Sequence, residues 1–294
     1  MPHQVRQESH TARTGTAART RRAAVLGSPI AHSLSPALHR AAYGELGLDS
    51  WTYDSFDVDE SGIAGFLADL DATWAGLSLT MPLKRAVIPL LDEISETAAS
   101  VEAVNTVVFR EDGRRLGENT DIPGMIAALR ERGVERVESA AVLGAGATAS
   151  SALAALARVC AGEVTAYVRS EARAREMRGW GERLGVPVRT AEWADAAEAL
   201  RAPLVIATTP AGTTDAFAPA VPAEGLGTLF DVLYDPWPTS LAASWQQRGG
   251  AVVSGLDLLV HQAALQVEQM TGLRPAPLAE MRAAGEAALR ARGA

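Results

Sequence analysis

Short apolar runs alternate with stretches of helical periodicity along almost the whole chain. From the N-terminal side, AAVLG is followed by a helical pattern at Pro36–Leu46, the run WTYDSFDV, and a second helical pattern near Ile63–Leu70. AGLSLT, short helices through Ile88–Ser100 and VNTVVF come next. That alternation predicts parallel α/β sheets covered by helices. A break falls near Asn119–Pro123, before the helical pattern GMIAALRERG. A fresh series then runs AAVLGAG, helix, EVTAYVRS, helix, VPVRT, PLVIATT, TLFDVLY and AVVSG, ending at Gly255. Two helical patterns, LDLLVHQAALQVEQM and PLAEMRAAGEAALRA, close the chain. Periodicity alone does not say where they dock.

The strand–turn–helix at AAVLGAGATAS places Gly144, Gly146 and Ala149 at the spacing G-x-G-x-x-A. The first glycine permits the tight turn, the second lets the backbone approach a pyrophosphate, and the alanine lets helix and strand pack closely. N–H groups exposed at the helix start then bind phosphate. A merely tight, unoccupied βα turn would show the same glycines, but strand and helix context both favour a dinucleotide site. The next strand ends on Val168 and Arg169, with Arg173 four residues on. An NAD site carries an acid there for the ribose 2′-hydroxyl, whereas guanidinium groups bind a 2′-phosphate. The expected cofactor is therefore NADP, with Glu171 between the two arginines as the contrary sign. The cofactor set is Gly144, Ala145, Gly146, Ala147, Arg169 and Arg173, with Thr208 and Gly255 from later strand ends.

The expected fold class is thus α/β in two domains. Residues 22–121 and 256–294 form one α/β unit completed by the C-terminal helices, and a Rossmann-type nucleotide-binding domain at 122–255 is inserted between them. Residues 1–21 have no apolar periodicity and read as a disordered extension; they lack the apolar centre of a secretory signal.

Composition narrows the function classes. Of 294 residues, 48% are hydrophobic and 21% charged, and the net charge is −8. A nucleic-acid binder would show a basic balance instead. The single cysteine, Cys160, excludes an internal disulfide and reads as a small buried residue. No apolar run is long enough for a membrane span. No HExxH or Cys/His cluster suggests a metal. The expected location is the cytoplasm, and both monomer and homodimer fit.

Candidate chemistry gathers at strand ends. In GSPIAHSLSPALH, Ser35 has the place of a helix N-cap with Pro36 first in the helix. Ser33 and Ser35 lie two apart where open α/β sheets bind ligands, so they suit a carboxylate; an ordinary capped turn looks the same. LSLTMPLK contributes Lys84, EAVNT contributes Asn105 and Thr106, and ENTD contributes Asn119, Thr120 and Asp121. His32 reads as structural, His39 and His261 as satisfied or solvated, and Trp237 as loop packing.

In order, GSPIAHSLSP, LSLTMPLK, EAVNT, ENTD, GAGATAS and GLDLLVHQAA resemble the motifs of shikimate dehydrogenases, from about Ala23 to the C-terminus. The resemblance implies NADP-dependent interconversion of 3-dehydroshikimate and shikimate in aromatic amino-acid biosynthesis. It implies that Ser33, Ser35 and Tyr234 hold the substrate carboxylate, that Thr80, Asn105 and Gln262 bind ring hydroxyls, and that Lys84 and Asp121 are the catalytic pair. Three positions depart from the family pattern: Ser78 where many relatives carry Asn, Ile122 where Gly is frequent, and Ala207 in place of a frequent Asn. Two alternatives stay open. One is a quinate/shikimate or aminoshikimate dehydrogenase; the other is a nucleotide-responsive binding protein without catalysis.

Overall fold

The computed structural model describes residues 20–292. Of the expected N-terminal extension, only Thr20 and Arg21 fall within the described residues, and Arg21 already opens the first strand. The first sheet holds β1 (Arg21–Gly27), β2 (Trp51–Asp57), β3 (Trp74–Leu79), β4 (Glu93–Ile94), β5 (Thr106–Phe109) and β6 (Arg115–Glu118), in the order β2-β1-β3-β5-β6-β4. It is mixed, not parallel throughout: β1 runs parallel to β2 and β3, but β5 is antiparallel to β3 and β6. The reason is a tight reversal after Phe109. Gly113 adopts φ +84° there, and Arg110 N–H donates to the Arg114 carbonyl over 2.9 Å. β4 and β6 have no apolar run to betray them, because RRLGE is mostly polar and its buried position is a glycine. A Cβ on Gly117 would come within 2.5 Å of Leu91 Cδ1, so no larger residue fits under the β4 segment.

Helices α1 (Ser35–Glu45), α2 (Ile63–Ala68), α3 (Leu83–Ala86) and α4 (Glu96–Val101) cover this sheet. The expected cap on α1 shifts by one residue: Leu34 is the N-cap and Ser35 the first helical residue. Ser33 Oγ instead accepts the Ser35 N–H at 3.3 Å, so the paired serines brace their own turn. The expected break near Asn119–Pro123 is the start of a helix, α5 (Asp121–Glu131). Pro123 is tolerated because the first turn has no intrahelical partner for its missing N–H.

The second sheet is parallel throughout. It holds β7 (Ala140–Leu143), β8 (Val164–Val168), β9 (Val188–Glu192), β10 (Leu204–Ala207), β11 (Thr228–Asp231) and β12 (Ala251–Ser254), in the order β9-β8-β7-β10-β11-β12. This is the doubly wound order, whose ligand crevice lies where the winding reverses, at β7 and β10. α6 (Ala147–Val159), α7 (Glu171–Leu184) and α8 (Ser240–Gln247) are its helices. β7, β8 and β10 are buried at every position, as a strand covered on both faces requires.

α9 (Gly255–Thr271) and α10 (Leu278–Arg292) return to the first sheet. α9 packs on β3, β5 and α5, and α10 packs on α1 and α9. Two glycines allow the approach. A Cβ on Gly76 would meet Met270 Cγ at 2.7 Å, and one on Gly124 would meet Gln262 Cβ at 3.0 Å. α9 starts with a capping box of Ser254 and Asp257. Burial raises the Asp257 carboxyl, but hydrogen bonds from Ser254 and the charges of Arg132 and Arg282 outweigh it and hold it below the usual range. No helix among the described residues is long and apolar enough to cross a membrane.

Candidate active site

Two cavities open at the carboxyl ends of the strands. The larger, about 730 Å³, is lined by Gly144, Ala145, Gly146, Ala147, Val168, Arg169, Arg173 and Thr208 among others. Gly144 lies at φ +113°, a conformation that disfavours any side chain, and a Cβ there would come within 2.6 Å of Thr208 Oγ1. Thr208 is held by donating to the Leu143 carbonyl at 2.9 Å. A Cβ on Gly146, the N-cap of α6, would meet nothing within 4 Å. The helix N-terminus is therefore open toward the cavity, as phosphate binding needs.

Past the turn, the Arg169 guanidinium lies 5.0 Å from the Trp193 ring centroid, which fixes it without consuming its fork. Arg173 donates to Glu176 Oε2 at 2.6 Å. Glu171, the contrary sign for NADP, is drawn off by Arg178 at 2.6 Å and does not line the cavity. Two guanidinium groups at the end of β8, that of Arg169 without a carboxylate partner and that of Arg173 shared with Glu176, fit a ribose 2′-phosphate.

The smaller cavity, about 280 Å³, gathers Ser33, Ser35, Thr80, Lys84, Asn105, Asp121, Tyr234 and Gln262 from six separate stretches of chain. Lys84 Nζ donates to Asp121 Oδ2 at 2.5 Å, with both side chains largely buried. Asn105 Nδ2 donates to Asp121 Oδ1 at 2.8 Å and lies 3.3 Å from Gln262 Oε1. Each carboxylate oxygen of Asp121 thus has one assigned donor, and the ammonium is aimed by a charge-assisted bond. Tyr234 follows β11 on a loop anchored by buried Asp231, which accepts from Thr239 Oγ1 at 2.7 Å and from the Leu233 N–H at 3.2 Å. Burial pushes the Tyr234 phenol up, so it stays a neutral donor. From the end of α10, Arg292 donates to the carbonyls of His32 and Ser33 at 3.0 and 3.3 Å and so pins the serine loop.

Thr80, Lys84 and Thr148 line both cavities. The two cavities therefore adjoin at Lys84, whose partner Asp121 lies on the side of the smaller one.

Residues 25–107 match the shikimate dehydrogenase substrate binding domain, and residues 255–284 match the shikimate 5′-dehydrogenase C-terminal domain. An NADP(+) shikimate dehydrogenase from one strain of Thermus thermophilus is 38% identical over 259 residues, covering 87% of this chain and 94% of that protein. The crystal structure of Mycobacterium tuberculosis shikimate dehydrogenase superposes with a TM-score of 0.83 at 39% identity, covering 91% of this chain and 99% of that one. The enzyme of a second Thermus thermophilus strain, solved in complex with NADP(H) and shikimate, gives 0.79 at 33% identity, covering 91% and 99%. The chain belongs to the shikimate dehydrogenase family.

Within this shikimate dehydrogenase fold, one expected cofactor residue sits elsewhere. Gly255 lines the smaller cavity, because it begins α9 where that helix packs against the main chain at Val232. The departures from the family pattern are absorbed by packing. Ile122 and Ala207 are buried in apolar clusters, and Ser78 joins a buried polar network. Gln266 also lines the smaller cavity, and Tyr53 stands behind it with Thr106 and Thr120 of the EAVNT and ENTD motifs. Thr120 N–H and Thr106 Oγ1 both donate to Asn105 Oδ1, at 2.8 and 2.9 Å, which turns the Asn105 amide nitrogen toward Asp121. Gln266, which no motif marked, lies one helical turn beyond Gln262 on the same face. His39 is buried beside Gln266 at 3.3 Å, and burial lowers it to about 3, so its ring is neutral. His261 pairs with Glu131 at 2.7 Å. Cys160 is half-buried, and desolvation raises its thiol.

Proposed function

We propose that this chain catalyses the reversible NADPH-dependent reduction of 3-dehydroshikimate to shikimate, a cytoplasmic step of aromatic amino-acid biosynthesis. The observation that carries the reading is Lys84 at the junction of the two cavities, paired with Asp121 in the smaller one. Relatives named as NADP(+) shikimate dehydrogenases, one solved with NADP(H) and shikimate, support the same substrates here.

The turn at Gly144–Ala147 offers backbone N–H groups to the cofactor's phosphates, and Arg169 with Arg173 reads the 2′-phosphate. When bound, NADP(H) would supply or accept the hydride exchanged at C3 of the ring. Lys84 donates a proton to the oxygen that gains charge as the carbonyl is reduced, and takes it back in the oxidative direction. Asp121 keeps Nζ in place for either transfer. Ser33, Ser35 and Tyr234 hold the carboxylate through hydroxyl donors, and Thr80, Asn105 and Gln262 serve the ring hydroxyls. Every one of these residues comes from a single chain, so monomer and homodimer are equally complete.

The direct test follows reduced-nicotinamide absorbance with purified protein, NADP and shikimate, beside parallel reactions with quinate and with NAD. Reduction with shikimate and NADP, and weaker reduction in the other arms, is expected. Faster turnover of quinate, or equal use of NAD, would move the chain to the broader-specificity branch. Silence in every arm would leave a nucleotide-responsive binding protein.

A further inference from the structure

We propose that Tyr53, which does not line the substrate cavity, is a positioning residue that makes Ser78 an obligate hydrogen-bond acceptor toward the substrate ring. The inference rests on the reading of the smaller cavity as the shikimate site. Ser78 lines that cavity beside Ser35, Asn105 and Gln266, and is buried apart from its cavity-facing surface.

The polarity of its hydroxyl follows from groups that can hydrogen-bond in one way only. Gln266 Nε2 lies 3.1 Å from the main-chain carbonyl oxygen of Asn105, which can only accept. The amide nitrogen must face that carbonyl, and Oε1 must face the opposite side, toward Ser78 and His39. Oε1 in turn can only accept, so Ser78 Oγ donates its one proton to it over 2.7 Å. His39 supplies the second donor: its neutral ring must carry the proton on Nε2. Ser78 then has no proton left for Tyr53, 2.6 Å away, and accepts from the phenol. Burial pushes the Tyr53 phenol up, against smaller lowering by Ser78 and Ser35, so it donates at any working pH. One lone pair of Ser78 is filled by Tyr53, and the other is left to the cavity.

The substrate group opposite Ser78 must therefore donate. A ring hydroxyl satisfies this, and a ketone does not. The carbonyl of the oxidised substrate is consequently kept off Ser78 and left to Lys84, the strongest donor in the cavity. Ser78 thus helps set ring orientation although it takes no part in proton transfer. An asparagine at this position would offer both a donor and an acceptor and would lose that sign.

Tyr53→Phe removes the phenol oxygen and keeps the ring, which stacks on His39 at 3.9 Å. The experiment measures kcat and KM for shikimate and for two analogues, each lacking one of the two ring hydroxyls that are not oxidised, along with NADP affinity and the melting temperature. With Tyr53→Phe, KM for shikimate is expected to rise roughly three- to ten-fold, the scale of one hydrogen bond, with kcat nearly held. One analogue, and one alone, should show no such rise, and the same analogue should be indifferent to Ser78→Ala. NADP affinity should not move. An unchanged KM would overturn the proposal, and so would an equal rise for shikimate and every analogue, which is what a purely structural role produces. Should Tyr53→Phe not fold, Ser78→Ala decides alone, by whether its penalty vanishes for a single analogue. A wild-type protein that fails to oxidise shikimate overturns the functional reading itself; an active wild type with an indifferent Tyr53→Phe overturns the positioning role alone.

Discussion

The two cavities solve different recognition problems, and their construction differs accordingly. In the larger, the phosphate- and ribose-reading part lies at one turn and the strand end that follows it, from Gly144 to Arg173, with much of its chemistry from main chain, while Thr80, Lys84, Trp193 and Thr208 complete the walls. The smaller draws residues from 25 to 266, and apart from His32 and the Lys84–Asp121 pair its polar side chains are hydroxyls and amides. A pyrophosphate is an anion that any helix N-terminus can serve. A polyhydroxylated ring needs donors and acceptors of assigned sign at many points, which main chain alone does not supply. The anion-binding part of the first site is therefore local in sequence and tolerant in detail. The second is dispersed and depends on the docking of α9 against β3 and β5.

That contrast predicts where substitutions hurt. Lys84→Ala should lower kcat by about 10²–10⁴-fold, the usual contribution of a positioned acid/base. NADP affinity, measured by titration of cofactor fluorescence, should change little. A comparable loss of NADP binding would mean that the lysine belongs to the larger cavity. Asp121→Asn keeps the shape but removes the charge that aims Nζ. A loss of about 10²-fold in kcat is expected from misplacing the acid, with KM for shikimate less affected.

The larger cavity should respond by altered discrimination. Arg169→Ala should raise KM for NADP roughly ten-fold more than KM for NAD, as loss of a charged hydrogen bond would. Equal effects on both cofactors would show that Arg169 does not read the 2′-phosphate.

The last effect concerns stability and leaves both cavities intact. His39 titrates near 3 in the folded protein because burial disfavours its charge, against an ordinary value of 6.5. As pH falls below 6.5 the unfolded chain binds a proton that the folded one refuses, so stability declines through the window from 6.5 to about 3. His39→Gln should flatten that part of a pH series of denaturant midpoints. An unchanged slope would assign acid sensitivity to other groups.

The same contrast explains what is legible in the sequence. Gly144, Gly146 and Ala149 are legible because a backbone requirement imposes residue types at fixed spacing. Lys84, Asn105 and Asp121 are legible as members of recurring motifs, although their meeting depends on the fold. Tyr53 is not, since a tyrosine in a strand is ordinary, and Gln266 shows only its place one helical turn beyond Gln262. They gain meaning only when α9 lies across β3 and places Gln266 beside Ser78. The β5–β6 hairpin is hidden because its second strand is polar and its buried position is Gly117. Ser35 reads as a cap because the one-residue shift to Leu34 leaves no trace in the sequence.

Hydride passing between two bound molecules across the Lys84–Asp121 junction is the central claim. Shikimate deuterated at C3, incubated with NADP and the protein, tests it directly when the mass of the recovered cofactor is measured. The reduced cofactor is predicted to carry the deuterium, one label per turnover. Unlabelled reduced cofactor, with the deuterium retained by the ring or lost to water, would contradict it.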